Sequence, residues 1–178
     1  MRKIVENKFC FQTTTCFYLI LCILFAGCLQ AGKDHKKIAD TMNFRASFCD
    51  PLKPEIIELG YIAQDTIIDH FEKIAWKEYL QKMATAKEKE IYYSPSFEVE
   101  NNNNKNGLAI SAVGDPDNYE FYIFYKRPKK VKTFFGLKEK IEENYSTDIQ
   151  GQTKADALDC LKALLRNDTE YLSNKVGQ

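Results

Sequence analysis

The sequence has few of the residues from which catalytic and metal sites are built. Its 178 residues include only two histidines, and one of them, His35, lies near the start. No paired-cysteine zinc spacing, glycine-rich phosphate loop or nucleophile elbow is present. The other histidine, His70, has Asp69 and Glu72 close by, but neighbouring side chains diverge on a helix, which favours a solvated histidine over an acid/base or metal pair. We therefore expect a protein without catalytic activity, metal or cofactor.

The sequence also lacks net charge. Lysine plus arginine and aspartate plus glutamate both number 25, a balance that argues against a dedicated nucleic-acid binder. Hydrophobic residues make up 44% of the chain and aromatic residues 13%. This is ample for one core of ordinary size, so we expect a single domain after any targeting segment.

The chain has no apolar run of the ~20 residues that a membrane-spanning helix needs. Its most apolar stretch, residues 16–29, follows Arg2, Lys3 and Lys8 and has about the length of a signal-peptide core. That stretch contains LFAGC at residues 24–28, which resembles the lipobox of bacterial lipoproteins. Small residues directly before a cysteine let a peptidase approach the backbone, and the cysteine thiol then takes the lipid.

The lipobox resemblance implies how the first 50 residues are used. Residues 1–27 are a signal peptide, Cys28 becomes the lipidated first residue, and residues 28–50 are the lipidated N-terminus and a tether. The resemblance also implies a location in the cell envelope, on the periplasmic or surface side of a membrane that the acyl chains hold. The alternatives are an ordinary signal peptide cleaved near Ala26 or Ala31, or an uncleaved anchor.

Only two cysteines remain beyond Cys28, and they favour a disulfide. Exported domains commonly pair such residues, so we predict a bond between Cys49 and Cys160. Closing a loop of about 110 residues would stabilise the domain by roughly 4 kcal/mol in the chain-entropy model. The alternative is two small buried thiols that do not meet.

Apolar spacing predicts helices near both ends of the remaining chain. Apolar residues recur at three- and four-residue steps from Ile56 to Ala75, which predicts a helix over about 55–72. The phase then shifts, so either a second short helix to about residue 87 or a bend near Ala75 follows. Thr153 and Asp156 form an acidic variant of a capping box before a last helix.

The middle of the chain alternates as strands do. We predict strands over 91–100, 108–114 and 119–126, with Pro128 ending the third, and fourth and fifth strands over 131–135 and 144–150. Short turns between them predict an antiparallel meander. The expected fold is α+β over residues 51–178: an N-terminal helix or helical hairpin, an antiparallel sheet of three to five strands, and a C-terminal helix packed on the same sheet face.

Two features of the third strand are candidates for binding a protein partner. If the residues at 119, 121, 123 and 125 face the helices, Tyr122 and Phe124 form an aromatic surface on the opposite face. A loop or the tether covering that face is the alternative. The basic run that follows, containing Lys126, Arg127, Lys129 and Lys130, suits an anion or an acidic partner, with a solvated edge turn as the alternative.

The order of these elements resembles small α+β immunity proteins of bacterial polymorphic toxin systems. The resemblance covers residues 55–172 and lies in the helices, the Asn106-Gly107 hairpin, the strand YEFYIFYKRP and the final helix with DALDCL. It implies a stoichiometric protein binder that neutralises a toxin, here one acting in the envelope. An envelope lipoprotein with a structural or ligand-binding role is the alternative, and an enzyme is a third.

Overall fold

A computed structural model of the chain describes residues 43–133 and 138–177. Cys28 and the predicted signal peptide lie outside these residues. The described chain is α+β, with one antiparallel sheet and helices on one of its faces. Its elements are β1 (Phe44–Cys49), β2 (Ile57–Ile62), α1 (Ile67–Glu72), α2 (Trp76–Thr85), β3 (Ser96–Asn101), β4 (Gly107–Asp115), β5 (Asn118–Thr133), β6 (Lys138–Gln152), α3 (Lys154–Leu165) and α4 (Thr169–Val176).

The sheet has six strands in the order β2-β1-β3-β4-β5-β6, more than the three to five expected. The prediction missed β1, which lies among residues 28–50 that the sequence assigned to the tether. In this strand Phe44, Ala46 and Phe48 alternate into the core. The folded domain therefore includes residues before the predicted boundary at 51.

The predicted helix over 55–72 is wrong in its first half. Residues Ile57–Ile62 pair with β1 as an edge strand, and α1 begins only at Ile67, after a single 3-10 turn. Apolar residues at 56, 59 and 62 fit a helix by spacing alone, but Gly60 adopts a φ of 76° beside a bulge in the pairing. Pairing with β1 decides the conformation of this segment. The predicted second short helix is confirmed as α2.

Aromatic side chains form the centre of the core between the sheet and the helices. Phe71 of α1 and Trp76 of α2 lie with ring centroids 5.3 Å apart, and both contact Phe121 of β5, at 5.9 and 5.3 Å. Phe97 of β3 lies 6.1 Å from Phe71. Since tilted and edge-on ring pairs at these distances are favourable, this cluster fixes α1 and α2 on the sheet.

The third predicted strand does not end at Pro128. β5 runs from Asn118 to Thr133 and pairs with β6 along most of its length. Pro128 lies where the pairing of β5 with β6 is irregular, since Arg127 pairs with Tyr145 and Lys129 with Glu142. It also lies beyond Lys126, the last residue of β5 that pairs with β4. A proline is tolerated there because its missing N–H removes no regular ladder hydrogen bond.

The predicted capping box and C-terminal helix are confirmed. The Asp156 amide donates to Thr153 Oγ1 at 3.2 Å, and the Thr153 amide donates to the Asp156 carboxylate at 3.0 Å. α3 buries Cys160 and Leu161 in the same cluster as the residues of α1 and α2. All four helices therefore contribute to one core on one face of the sheet, and α4 is an element that the sequence analysis did not predict.

Candidate functional site

The sheet has an open face, on which none of the helices in the described residues packs. Alternation places Phe121, Ile123 and Tyr125 in the core, and Tyr122 and Phe124 on the opposite side, as predicted. Tyr122 and Phe124 are half-buried, so part of each ring is accessible to solvent. Neither aromatic ring is covered as it would be in a sealed second core.

Small side chains form the floor of a groove in the open face. One row across the sheet joins, in register, Ser47 of β1, Glu98 of β3, Ala109 of β4 and Phe124 of β5. Ser47 and Ala109 have the short side chains of this row, next to the longer Glu98 and Phe124. The resulting groove has a volume of about 420 Å³, and its walls include Arg45, Ile56, Glu58, Glu100, Phe124 and Lys126.

Charged side chains of both signs border this groove in pairs. Arg45 contacts Glu58 through two contacts, Nη2 to Oε1 at 3.0 Å and Nε to Oε2 at 3.2 Å. Glu100 is shared by Lys126 at 3.5 Å and Lys105 at 3.4 Å. These pairs are largely exposed and contribute little to stability, so they can exchange partners when another surface arrives.

The structure divides the predicted basic residues between the two sides of β5. Lys126 lies on the open face, and by strand alternation Lys130 lies on the same side. Arg127 lies on the other side, 4.3 Å from the Tyr125 ring and donating to Thr147 Oγ1 at 2.8 Å. Lys129 joins it there, with Nζ 4.2 Å from the Tyr145 ring. The six candidate partner-binding residues therefore do not form one patch.

Cys49 and Cys160 are both buried free thiols, so the predicted disulfide is absent from the structure. Cys160 lies on α3 and faces the core. Cys49 lies on β1 and, by strand alternation, faces the opposite side of the sheet, where its thiol lies 3.8 Å from Glu98 Oε1. The sheet separates the two sulfurs. Burial raises the pKa of both thiols to about 11, and the Glu98 carboxylate adds to the effect at Cys49.

His70 is exposed on α1 and lies beside a second, smaller groove of about 290 Å³ between α1, α2 and β2. Phe48, Leu59 and Tyr79 supply much of its apolar lining. In the described ranges no three histidine, cysteine or acidic side chains come together as metal ligands. Lys73 and Tyr79 are the other titratable side chains that line this groove, and none of its lining residues is acidic.

Three exposed apolar residues beside the open face were missed as candidates. Ile56 is 45% exposed and forms part of the groove wall, and Tyr92 and Tyr93 are 50% and 38% exposed. The tyrosine rings lie 6.5 Å apart, and the Tyr93 hydroxyl donates to the Pro54 carbonyl at 2.8 Å. We predicted a strand over 91–100, but β3 begins only at Ser96. Pro95, just before it, was the available signal that the tyrosines lie in a loop.

Comparisons with known proteins give no family for this chain. No protein-family model matches it, and neither the curated proteins nor the solved structures contain a significant match. Within residues 43–133 and 138–177, every helix is too short or too polar to cross a bilayer. The open face and the sequence pattern around Cys28 are therefore the features from which a function is proposed.

Proposed function

We propose that this chain is an exported, lipid-anchored protein whose domain binds a protein partner through the open face without catalysing a reaction. The observation that carries the proposal is the half-buried pair Tyr122 and Phe124 on an uncovered sheet face. Partly exposed aromatic rings are enriched in protein interfaces, where they supply large contact areas at low entropic cost. LFAGC at residues 24–28 supports the anchor.

The size of the surface supports a macromolecular partner. Six strands spaced by about 4.8 Å give the open face a width of about 24 Å, enough for a helix or a strand pair of the partner. Tyr92 and Tyr93 add exposed aromatic surface next to the groove, because the Tyr93 hydroxyl donates to the Pro54 carbonyl two residues before the wall residue Ile56. The Arg45–Glu58 and Lys126–Glu100 pairs provide a polar rim around it.

The immunity-type role is the more specific form of this proposal. It is supported by the resemblance of the element order to toxin-neutralising immunity proteins and by the absence of a recognised catalytic motif in the sequence. An immunity protein fastened through Cys28 would meet its toxin at the membrane surface. Its partner would then be a toxin domain acting in the cell envelope, encoded beside it.

A ligand-binding or structural role in the envelope is the second candidate, and the volume of the groove favours it. About 420 Å³ falls within the ~300–1,000 Å³ typical of small-molecule sites. In this case the groove alone would carry the function. Ile56 would matter as a wall residue, whereas Tyr92 and Tyr93 would not contribute.

One pair of variants separates the two candidates. Ala109→Trp fills the groove floor on a solvent-facing position, and Tyr92→Ala with Tyr93→Ala removes aromatic area outside the groove. We expect both to weaken capture of the partner in photo-cross-linking within cells, and Ala109→Ser to leave it unchanged. If neither variant lowered the yield of the cross-linked partner, the protein-binding proposal would fail and the small-ligand groove would remain as the candidate.

A further inference from the structure

A two-stranded ribbon extends from one end of the sheet. β4 begins at Gly107, opposite Lys126, so beyond Lys126 β5 has β6 as its only neighbour among the described strands. We call residues 127–133 and 138–145 the ribbon. Seven residues past Lys126 at about 3.3 Å each carry it about 20 Å beyond the hairpin between β3 and β4.

The ribbon is basic although the chain as a whole is neutral. It contains six cationic residues and three acidic ones, a surplus of three positive charges. The cationic residues are Arg127, Lys129, Lys130, Lys132, Lys138 and Lys140, and the acidic residues are Glu139, Glu142 and Glu143. Glu142 pairs in register with Lys129, and Glu139 with Lys132. Lys130, by contrast, has no carboxylate opposite it in register, because its partner is Ile141.

One side of the ribbon combines lysines with an exposed apolar residue. Lys130 pairs in register with Ile141, which is 52% exposed, and Lys132 follows on the same side of the strand, opposite Glu139. Lys130 and Lys132 are themselves exposed. Lysines flanking an accessible aliphatic side chain suit the boundary between lipid headgroups and acyl chains.

The ribbon leaves the sheet at the end where the described chain starts. Asn43 accepts a hydrogen bond from the Asn102 amide at 2.8 Å, and Phe44 pairs with Asn101 beside the same hairpin. Cys28 precedes Asn43 by 15 positions, a length of chain that spans at most about 50 Å. A lipid on Cys28 would therefore hold this end of the domain near the bilayer.

We infer that the ribbon docks on an anionic lipid surface, with Lys130, Lys132 and Ile141 on the contacting side. The inference depends on the proposed anchor for its orientation. Lysines within a Debye length of an anionic leaflet are attracted to it, and this attraction weakens as salt is added. Docking would fix the angle at which the open face is presented to a partner.

The test uses the full-length protein in nanodiscs of phosphatidylcholine, with and without phosphatidylglycerol. Lysine acetylation is followed by mass spectrometry of the ribbon peptides. We expect ribbon lysines to be labelled about fivefold more slowly when the anionic lipid is present, and high salt to remove the difference. Lys87 and Lys89, which are exposed in the connection before β3, serve as reference sites at the other end of the sheet.

A matched pair of variants completes the test. Lys130→Gln with Lys132→Gln should abolish the protection of the remaining ribbon lysines, whereas Lys87→Gln with Lys89→Gln, which removes the same charge, should leave it intact. Equal labelling with and without phosphatidylglycerol would overturn the inference. So would a result in which an acidic polypeptide protected the ribbon lysines and the anionic nanodiscs did not. Labelling of Cys28 by an acyl-chain analogue, compared with Cys28→Ser, tests the anchor separately.

Discussion

The two buried thiols show that the face of the sheet on which a cysteine lies decides whether it can form a disulfide. Cys49 and Cys160 were predicted to pair from their number and compartment alone, yet alternation along β1 turns Cys49 away from the core that holds Cys160. A one-residue shift in register would reverse that direction, and a sequence does not reveal the register of an unrecognised strand. Each thiol therefore remains a small buried group.

Alkylation tests this arrangement. Because burial raises the pKa of both thiols to about 11, few thiolates exist at pH 8. We expect Cys49 and Cys160 to resist iodoacetamide in the folded protein and to react fully in denaturant, as read by peptide mapping. A peptide pair linked through these two cysteines after non-reducing digestion would show that the disulfide prediction was right.

The capping box at the start of α3 gives a pH-dependent prediction. Hydrogen bonds from Thr153, followed by that from Lys175, lower the pKa of Asp156 from 3.8 to about 2. A carboxyl group whose pKa is lower in the folded state stabilises the protein above its unfolded pKa. That contribution should be lost as the pH falls from about 4 towards 2.

Melting temperatures of the wild type and Asp156→Asn measure this contribution. We expect the wild type to be more stable at pH 7, by no more than about 1 kcal/mol because solvent reaches the side chain, which is 33% exposed, and the difference to shrink as the pH approaches 3. Thr153→Ala should cost about 1 kcal/mol, as loss of an N-cap typically does. A wild-type advantage that grows in acid would contradict the assignment.

Among the elements, sequence reasoning missed β1, β2 and α4, while the capping box and the alternation of β5 were predicted correctly, and α2 is one of the two alternatives left open after Ala75. β5 carries its own signal because its aromatic residues alternate over eight positions. β1 is short and lies within residues 28–50, which were assigned to the lipidated N-terminus and tether, and β2 has apolar residues whose spacing also fits a helix. β1 is held between β2 and β3, and β2 pairs with β1. These are contacts between segments that a local pattern does not contain.

The membership of β1 in the domain can be tested by truncating one core residue. Phe44 is 2% exposed, so Phe44→Ala should lower the free energy of unfolding by about 3–5 kcal/mol. Arg45→Ala, at the next position on the open face, should cost no more than about 1 kcal/mol. Urea denaturation compares the two. Equal small effects would mean that residues 44–49 act as a tether.

The candidate site was predicted only in part, because its residues come from five strands and two loops. Tyr122 and Phe124 could be named from one strand. The groove floor at Ser47 and Ala109 needs the register of β1, β3 and β4, and Tyr92 and Tyr93 were hidden within a predicted strand. The basic run was taken as a single patch because the strand was predicted to end at Pro128, so the alternation of side chains between its two faces was not carried through the run.

We assign different roles to the two faces and the two ends of the sheet. Helices cover one face, and the open face is left for a partner. The chain from the proposed anchor at Cys28 enters the domain at the end with Asn43 and the ribbon, whereas Tyr92 and Tyr93 lie at the opposite end of the sheet. A domain held this way would present its groove along the side of the sheet, accessible to a partner that approaches the membrane.

Photo-cross-linking at the open face is the most direct test of the account. A cross-linker at Ser111, between Tyr122 and the groove floor, should trap one defined protein in cells. Tyr122→Ala with Phe124→Ala should abolish the product, whereas Tyr171→Ala, which removes an exposed aromatic ring from α4, should not. If the double variant gave the same cross-linked product in the same yield as the wild type, the open face would not be the binding surface.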